Sequence, residues 1–222
     1  MIIKVEHLAK KIKGSPILSD ICLTMESGHI YGLQGANGSG KTMLMRALCG
    51  LIYPSEGSVS VDGKILGKDI DFPPSVGLLL ENPAFLPYYT GRANLMILAH
   101  LQKLPESTVD EALRSVSLDP LDSRKFKSYS LGMKQRLGIA GAILGWPDLV
   151  ILDEPFNALD EDGIASTHQL ILNLKMKGKL VVLACHDGDE FASLVDQKYL
   201  IKNGHITTVS EDRKQDEKNI LQ

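Results

Sequence analysis

Two short stretches hold residue types whose spacing suits chemistry. The first is Gly35-Ala36-Asn37-Gly38-Ser39-Gly40-Lys41-Thr42, which meets every fixed position of the phosphate-loop pattern G-x-x-x-x-G-K-[ST]. Its glycines let the backbone turn tightly and approach a ligand closely. Successive N–H groups then line a concavity for anionic oxygens. Lys41 is placed to reach β- and γ-phosphates, and the Thr42 hydroxyl to hold Mg²⁺. The second stretch is Asp153-Glu154, two carboxylates directly after the apolar run Leu149-Val150-Ile151-Leu152. A carboxylate at such a strand end can hold Mg²⁺ opposite Thr42. A second one beside it can orient and deprotonate a water.

These groups need a scaffold to bring them together. Ile30-Tyr31-Gly32-Leu33 reads as a buried strand entering the loop, and Met43 to Leu48 as a helix leaving it with its positive dipole end on the phosphates. Leu149–Leu152 and Leu180–Ala184 read as strands covered on both faces, typical of a parallel sheet. A helix is expected over 161–177, closed by Gly178. Short strands are expected at 2–8 and 17–25. Gly57–Val61 alternates with period two ahead of the turn signal Asp62-Gly63, which predicts an antiparallel β segment. Val76–Leu80 is a further strand, broken at Pro83. From there to about residue 140 the pattern is helical. One helix is predicted over Arg92–Leu104 with Pro105 as its stop, and the next opens on Ser107 and Asp110, spaced like a capping box. Ser130 is placed to cap a third, carrying Leu137, Ile139, Ala140, Ile143 and Leu144. The expected fold class is therefore α/β. It has a phosphate-loop core on a mostly parallel sheet (1–81 and 141–210), an N-terminal antiparallel β subdomain and an inserted helical subdomain (82–140). A polar tail (211–222) ends the chain, and the whole forms a single domain.

Composition narrows the function classes. The chain has 222 residues, 44% hydrophobic and 23% charged, with net charge −3, so no overall basic field draws it to nucleic acid or anionic lipid. Cys22, Cys49 and Cys185 each lie in an apolar stretch and read as core residues of a reducing compartment, not as a disulfide set or a metal site. The N-terminus lacks a signal-peptide core, and the longest apolar run, Leu137–Trp146, is about half what a bilayer span needs. A cytoplasmic protein is expected, with any membrane part supplied by a partner.

Taken in order, Gly35–Thr42, Ser130–Arg136, Leu149–Glu154, Asn157-Ala158-Leu159-Asp160 and His186 resemble the ATP-binding cassette family over nearly the whole chain. The resemblance implies an ATPase that works as a head-to-tail dimer with two ATP molecules between protomers. In it, Gly35, Ala36, Asn37, Gly38, Ser39, Gly40, Lys41, Thr42 and Met43 bind ATP, with Ile12 at the position that covers the adenine. Thr42, Asp153 and Glu81 surround Mg²⁺, and Glu154, His186 and Lys41 are catalytic. Ser130, Leu131, Gly132 and Met133 form the signature segment that meets the other subunit's nucleotide, and Asn157–Asp160 is the D-loop. Taken alone, without the family context, His186 reads as a histidine at a strand end that happens to be polar.

Three positions depart from the usual family pattern. Glu81 stands where a glutamine is common, and Glu81-Asn82-Pro83-Ala84-Phe85 looks like the variant of bacterial exporters for peptide antibiotics and bacteriocin self-protection. Leu131 and Met133 replace the usual glycine and glutamine. Ile12 replaces the stacking aromatic, so weaker base discrimination and some acceptance of GTP are expected. Phe85-Leu86-Pro87-Tyr88-Tyr89 reads either as a docking surface for a membrane partner or as a loop packed on its own subdomain.

The expected function is the motor subunit of a bacterial transporter, driving a separately encoded transmembrane permease together with a second cassette subunit. The alternative is a soluble cassette clamp on nucleic acid or ribosomes, which the acidic balance disfavours. A self-contained kinase or GTPase site leaves Ser130–Arg136 without a role, and no Asn-Lys-x-Asp guanine motif is present.

Overall fold

A computed structural model describes residues 1–81, 83–185 and 193–209. Strands β1 (Ile2–Ile12) and β2 (Ser15–Glu26) form a long antiparallel hairpin. Its turn residues Lys13 and Gly14 both have positive φ, 48° and 84°, which matches turn twist to strand twist. The strands run past the predicted 2–8 and 17–25. Apart from Glu26, which pairs with Ile2, the added residues lie towards the hairpin turn, where burial imposes no alternation. Strand β4 (Glu56–Val61) pairs with the other side of β1, and β5 (Lys64–Ile65) returns through Asp62-Gly63, giving the order β2-β1-β4-β5; the strand between β2 and β4 in the chain, β3 (Ile30–Gln34), joins a second sheet.

That second sheet contains β3 (Ile30–Gln34), β6 (Val76–Leu79), β7 (Leu149–Asp153), β8 (Leu180–Cys185), β9 (Gln197–Lys202) and β10 (His205–Val209). Its order is β10-β9-β3-β8-β7-β6, and every neighbouring pair is parallel except β9 with β10. Alternate residues of β7 and β8 face opposite ways. Leu149, Ile151, Leu180 and Val182 pack against the antiparallel sheet and helix α1 (Lys41–Leu48). Val150, Leu152, Val181 and Leu183 pack against helices α4 (Leu131–Ala142) and α5 (Glu161–Met176). Burial on both faces explains why these strands are continuously apolar.

Helices α2 (Gly91–Leu101), α3 (Ser107–Ser115) and α4 follow one another between β6 and β7. Two boundaries differ from expectation. Helix α2 starts where Thr90 accepts a hydrogen bond from the Ala93 N–H (3.1 Å), and it ends at Leu101, four residues before Pro105. Ser107 and Asp110 form no capping box. Ser107 is already inside α3, and Asp110 instead accepts from Arg92 Nε at 2.8 Å, tying α3 to α2. The Thr108 hydroxyl donates to the Pro105 carbonyl at 2.6 Å, so a turn takes the place of the cap.

The expectation of three core cysteines fails for Cys22. Cys49 is buried, but Cys22 is exposed. Ile21 and Leu23 point into the core, so the period of two sends Asp20, Cys22 and Thr24 to the outer face of edge strand β2. Among the described residues, no helix is long and apolar enough to cross a membrane.

Candidate active site

The phosphate loop spans the gap from β3 to α1, and its glycines have separate reasons. Gly38 and Gly40 have φ of 75° and 112°, a region that disfavours side chains. At Gly35 a Cβ would stand 2.3 Å from the Ile201 carbonyl oxygen, so the loop is wedged against β9. Helix α1 opens on Gly40 with no side-chain cap, whereas α2, α4 and α5 are capped by Thr90, Ser130 and Asp160. Its first N–H groups are thereby left for an anion. Lys41 is buried, and its Nζ donates to the carbonyls of Gly35 (2.6 Å) and Ala36 (3.2 Å), which holds the ammonium over the loop. The buried Ser39 Oγ has no hydrogen-bond partner among the described residues.

Asp153 ends β7 beside this loop, and its Oδ2 accepts from Thr42 Oγ1 at 2.8 Å. Burial pushes the Asp153 carboxyl above its ordinary range, and the neighbouring Glu154 and Glu81 push the same way. The Thr42 hydrogen bond and Lys41 oppose them. A hydroxyl and a partly buried carboxylate in contact, amid excess negative charge, are the hard oxygen donors that Mg²⁺ takes. The residues present therefore fit that ion.

Glu154 is held by its backbone from two directions. Its N–H donates to the Ala184 carbonyl (2.9 Å), and its own carbonyl accepts from Gln135 Nε2 (2.9 Å). Its φ of 49° is left-handed, an arrangement that costs about 1–3 kcal/mol and persists only where surroundings enforce it. The Asn157 amide donates to Glu154 Oε2. Lys41, Thr42, Met43, Asn37, Gly38, Gly40, Asp153, Glu154 and Asn157 thus come together around a cavity of about 520 Å³.

Glu81 lines the same cavity but pairs with Arg46 of α1 (Oε1 to Nη2, 2.5 Å). Ile12 does not line it. The turn at Lys13-Gly14 carries Ile12 away, and Ile17, on the returning strand, lines the cavity instead. His186 lies outside the described residues.

Ser130–Met133 stand apart from this cavity in their own chain. Ser130 caps α4 by accepting from the Met133 N–H at 3.2 Å. Leu131 opens the helix without positive φ and is 72% exposed. The D-loop links the two regions. Asn157 holds Glu154, the Ala158 carbonyl sits 2.9 Å from where a Gly132 Cβ would be, and Asp160 pairs with Arg136 of α4. Gln135, Arg46 and Ile17 are site residues to which sequence reasoning gave no role. Gln135 alone had a signal, because it lies in the Ser130–Arg136 stretch. The other two depend on which elements become neighbours.

The family model described as ABC transporter matches residues 18–157. An uncharacterised ABC transporter ATP-binding protein of Bacillus subtilis, YybJ, is 45% identical over 207 residues, covering 93% of this chain and 95% of its own. The bacitracin transport ATP-binding protein BcrA of Enterococcus faecalis is 37% identical, covering 98% of this chain and 72% of its own. A solved ATP-binding subunit of an ABC transporter superposes with a TM-score of 0.83 at 26% identity, covering 94% of this chain and 90% of that one. Family match and site geometry agree, and the chain belongs to the ABC transporter family as one of its ATP-binding, ATP-hydrolysing cassettes.

Proposed function

We propose that this chain is the motor subunit of an exporter of peptide antibiotics, in which two cassettes close on ATP and drive a separately encoded membrane permease. The observation that carries it is the incompleteness of the single-chain site. Phosphate loop, Asp153 and Glu154 share one cavity, while Ser130–Met133, the remaining anion-binding segment, is turned elsewhere with Leu131 exposed. A second protomer supplying that segment makes the site whole. The similarity to a bacitracin transport protein supports the substrate class.

The chemistry follows from the residues. Lys41 and the uncapped N–H groups of α1 bind the β- and γ-phosphates. Thr42 and Asp153 would hold Mg²⁺, whose charge neutralises that building on the transferred phosphoryl. Glu154 orients a water for in-line attack and takes its proton, giving ADP and phosphate. Asn157 releases the Glu154 carboxylate for that task as the D-loop shifts against the closing partner. His186 contacts the γ-phosphate, Ile17 offers the base an aliphatic seat, and GTP competes with ATP. The 82–140 segment passes the motion to the permease through Phe85–Tyr89. There Phe85 turns inward onto Phe126 (ring centroids 5.4 Å apart), while Leu86, Tyr88 and Tyr89 face out. The chain thereby works at the inner face of the cell membrane.

The test is Glu154→Gln with saturating ATP and Mg²⁺, measured by light scattering and phosphate release. A dimer with turnover lowered at least a hundredfold is expected. A strictly monomeric variant refutes the shared site, and recovery of the native protein with ribosomes or nucleic acid instead of a permease refutes the transport role.

A further inference from the structure

A second group of chemically active side chains lies on the outer face of the β1–β2 hairpin and contributes nothing to the nucleotide cavity. His7, Asp20 and Cys22 present one donor atom each, all within 4.8 Å of one another. His7 Nδ1 lies 2.7 Å from Asp20 Oδ1 and 3.7 Å from Cys22 Sγ. The imidazole nitrogen that meets the carboxylate is the one that meets the sulfur, so the three donors converge on a point. They are not strung out as a relay, which would use both ring nitrogens.

The fold builds this convergence. The β1–β2 register shifts between Val5 and Leu8, so Glu6 and His7 are accommodated opposite Cys22, and the His7 N–H donates to Cys22 Sγ at 3.3 Å. A bulge of this kind re-aims a side chain. Here it leaves His7 at φ 48°, and a second register shift between Leu8 and Lys10 sets Ser19 and Asp20 opposite Ala9, with Asp20 at φ 50°. On the far side of β1, strand β4 passes the bulge only because position 57 is glycine. A Cβ there would stand 2.2 Å from the His7 carbonyl oxygen. An exposed histidine–aspartate pair contributes little by itself, and it accounts for neither the thiol nor the shared nitrogen.

We propose that His7, Asp20 and Cys22 form a binding site for one borderline-soft divalent cation of the Zn²⁺ type. An imidazole, a thiolate and a carboxylate suit Zn²⁺, whereas Mg²⁺ takes oxygen ligands. A tetrahedral ion with ligands at about 2.0–2.3 Å separates nitrogen from sulfur by roughly 3.6 Å and nitrogen from oxygen by roughly 3.4 Å. The nitrogen–sulfur spacing is already there, and the exposed Asp20 side chain need withdraw by only about 0.7 Å. Three protein ligands leave a fourth position open to water or to a donor from another molecule. Bound metal would pin the first strand pair of the chain, far in sequence from Lys41 and Asp153.

The test uses the full chain without a histidine tag, stripped with a chelator and titrated with Co²⁺ as the spectroscopic stand-in for Zn²⁺. One equivalent is expected to give a sulfur-to-cobalt charge-transfer band that Zn²⁺ then abolishes. Cys22→Ser should lose the band, and His7→Ala and Asp20→Asn should each weaken Co²⁺ binding at least tenfold. Alkylation of Cys22 in the wild-type chain, located by mass spectrometry, gives the same readout without a substitution. Absence of the band in wild-type protein overturns the proposal. So does a band that survives Cys22→Ser or Cys22 alkylation, or wild-type affinity in both His7→Ala and Asp20→Asn.

Discussion

Asp153 is the residue in which the cost of the site is concentrated. It combines partial burial with two neighbouring carboxylates, against which the Thr42 hydrogen bond and Lys41 give partial relief. The folded protein without metal therefore holds the Asp153 proton more tightly than the unfolded chain does. A carboxyl raised in this way loses stability for the folded state as pH climbs from the ordinary carboxylate range through the raised value. Asp153→Asn removes that charge while keeping an acceptor for the Thr42 hydroxyl. In metal-free urea titrations the variant should match the wild type at acid pH and exceed it near neutrality. Its ATP hydrolysis in Mg²⁺ should fall about a hundredfold or more, because several kcal/mol of charge stabilisation depend on the ion. A variant less stable than wild type at neutral pH would mean that Asp153 is needed for folding and is not a strained site group.

The helices separate cap function from site function. Thr90 caps α2 and takes no part in the cavity. Thr90→Ala should lower stability by about 1 kcal/mol, read as a fall in melting midpoint of about 2–4 °C, with ATP hydrolysis unchanged. Helix α1 has no side-chain cap to remove, so its open N–H groups are available to the nucleotide. The capping box expected at Ser107 illustrates how local patterns compete. Spacing alone admits the cap, but Arg92 on the neighbouring helix draws Asp110 away at 2.8 Å. Tertiary pairing wins because a charged pair with a second helix offers more than a polar contact at an exposed helix end.

Across the molecule, what matters is how closely α4 sits on the parallel sheet, since that distance sets Gln135 against Glu154 and the signature segment against the D-loop. Gly77 of β6 controls it. A Cβ there would lie 1.6 Å from the Ala142 carbonyl oxygen, and one at Gly138 would come within 2.8 Å of the Leu79 and Pro83 side chains. Gly77→Ala should push α4 off the sheet and cost about 1–3 kcal/mol. ATP binding to the phosphate loop should persist, because the loop rests on β3, β9 and α1, while hydrolysis falls. Equal loss of binding and hydrolysis would show that the two layers fold as one unit and that α4 is not a separable lever.

The phosphate loop, the Asp153-Glu154 pair and the buried strands of the parallel sheet could be read from the amino-acid order. Each depends on residue types at fixed short spacing or on continuous apolar runs, and these survive in any context that buries them. The tertiary structure alone decided the rest. It placed Ile17 and not Ile12 at the cavity, joined Gln135 to the Glu154 backbone, drew Glu81 to Arg46 and turned Cys22 outward beside His7 and Asp20. Those outcomes hang on strand register, a bulge and close approach at glycine. A register shift of one residue reverses which face a side chain takes, and no spacing within a single segment specifies its neighbour in another.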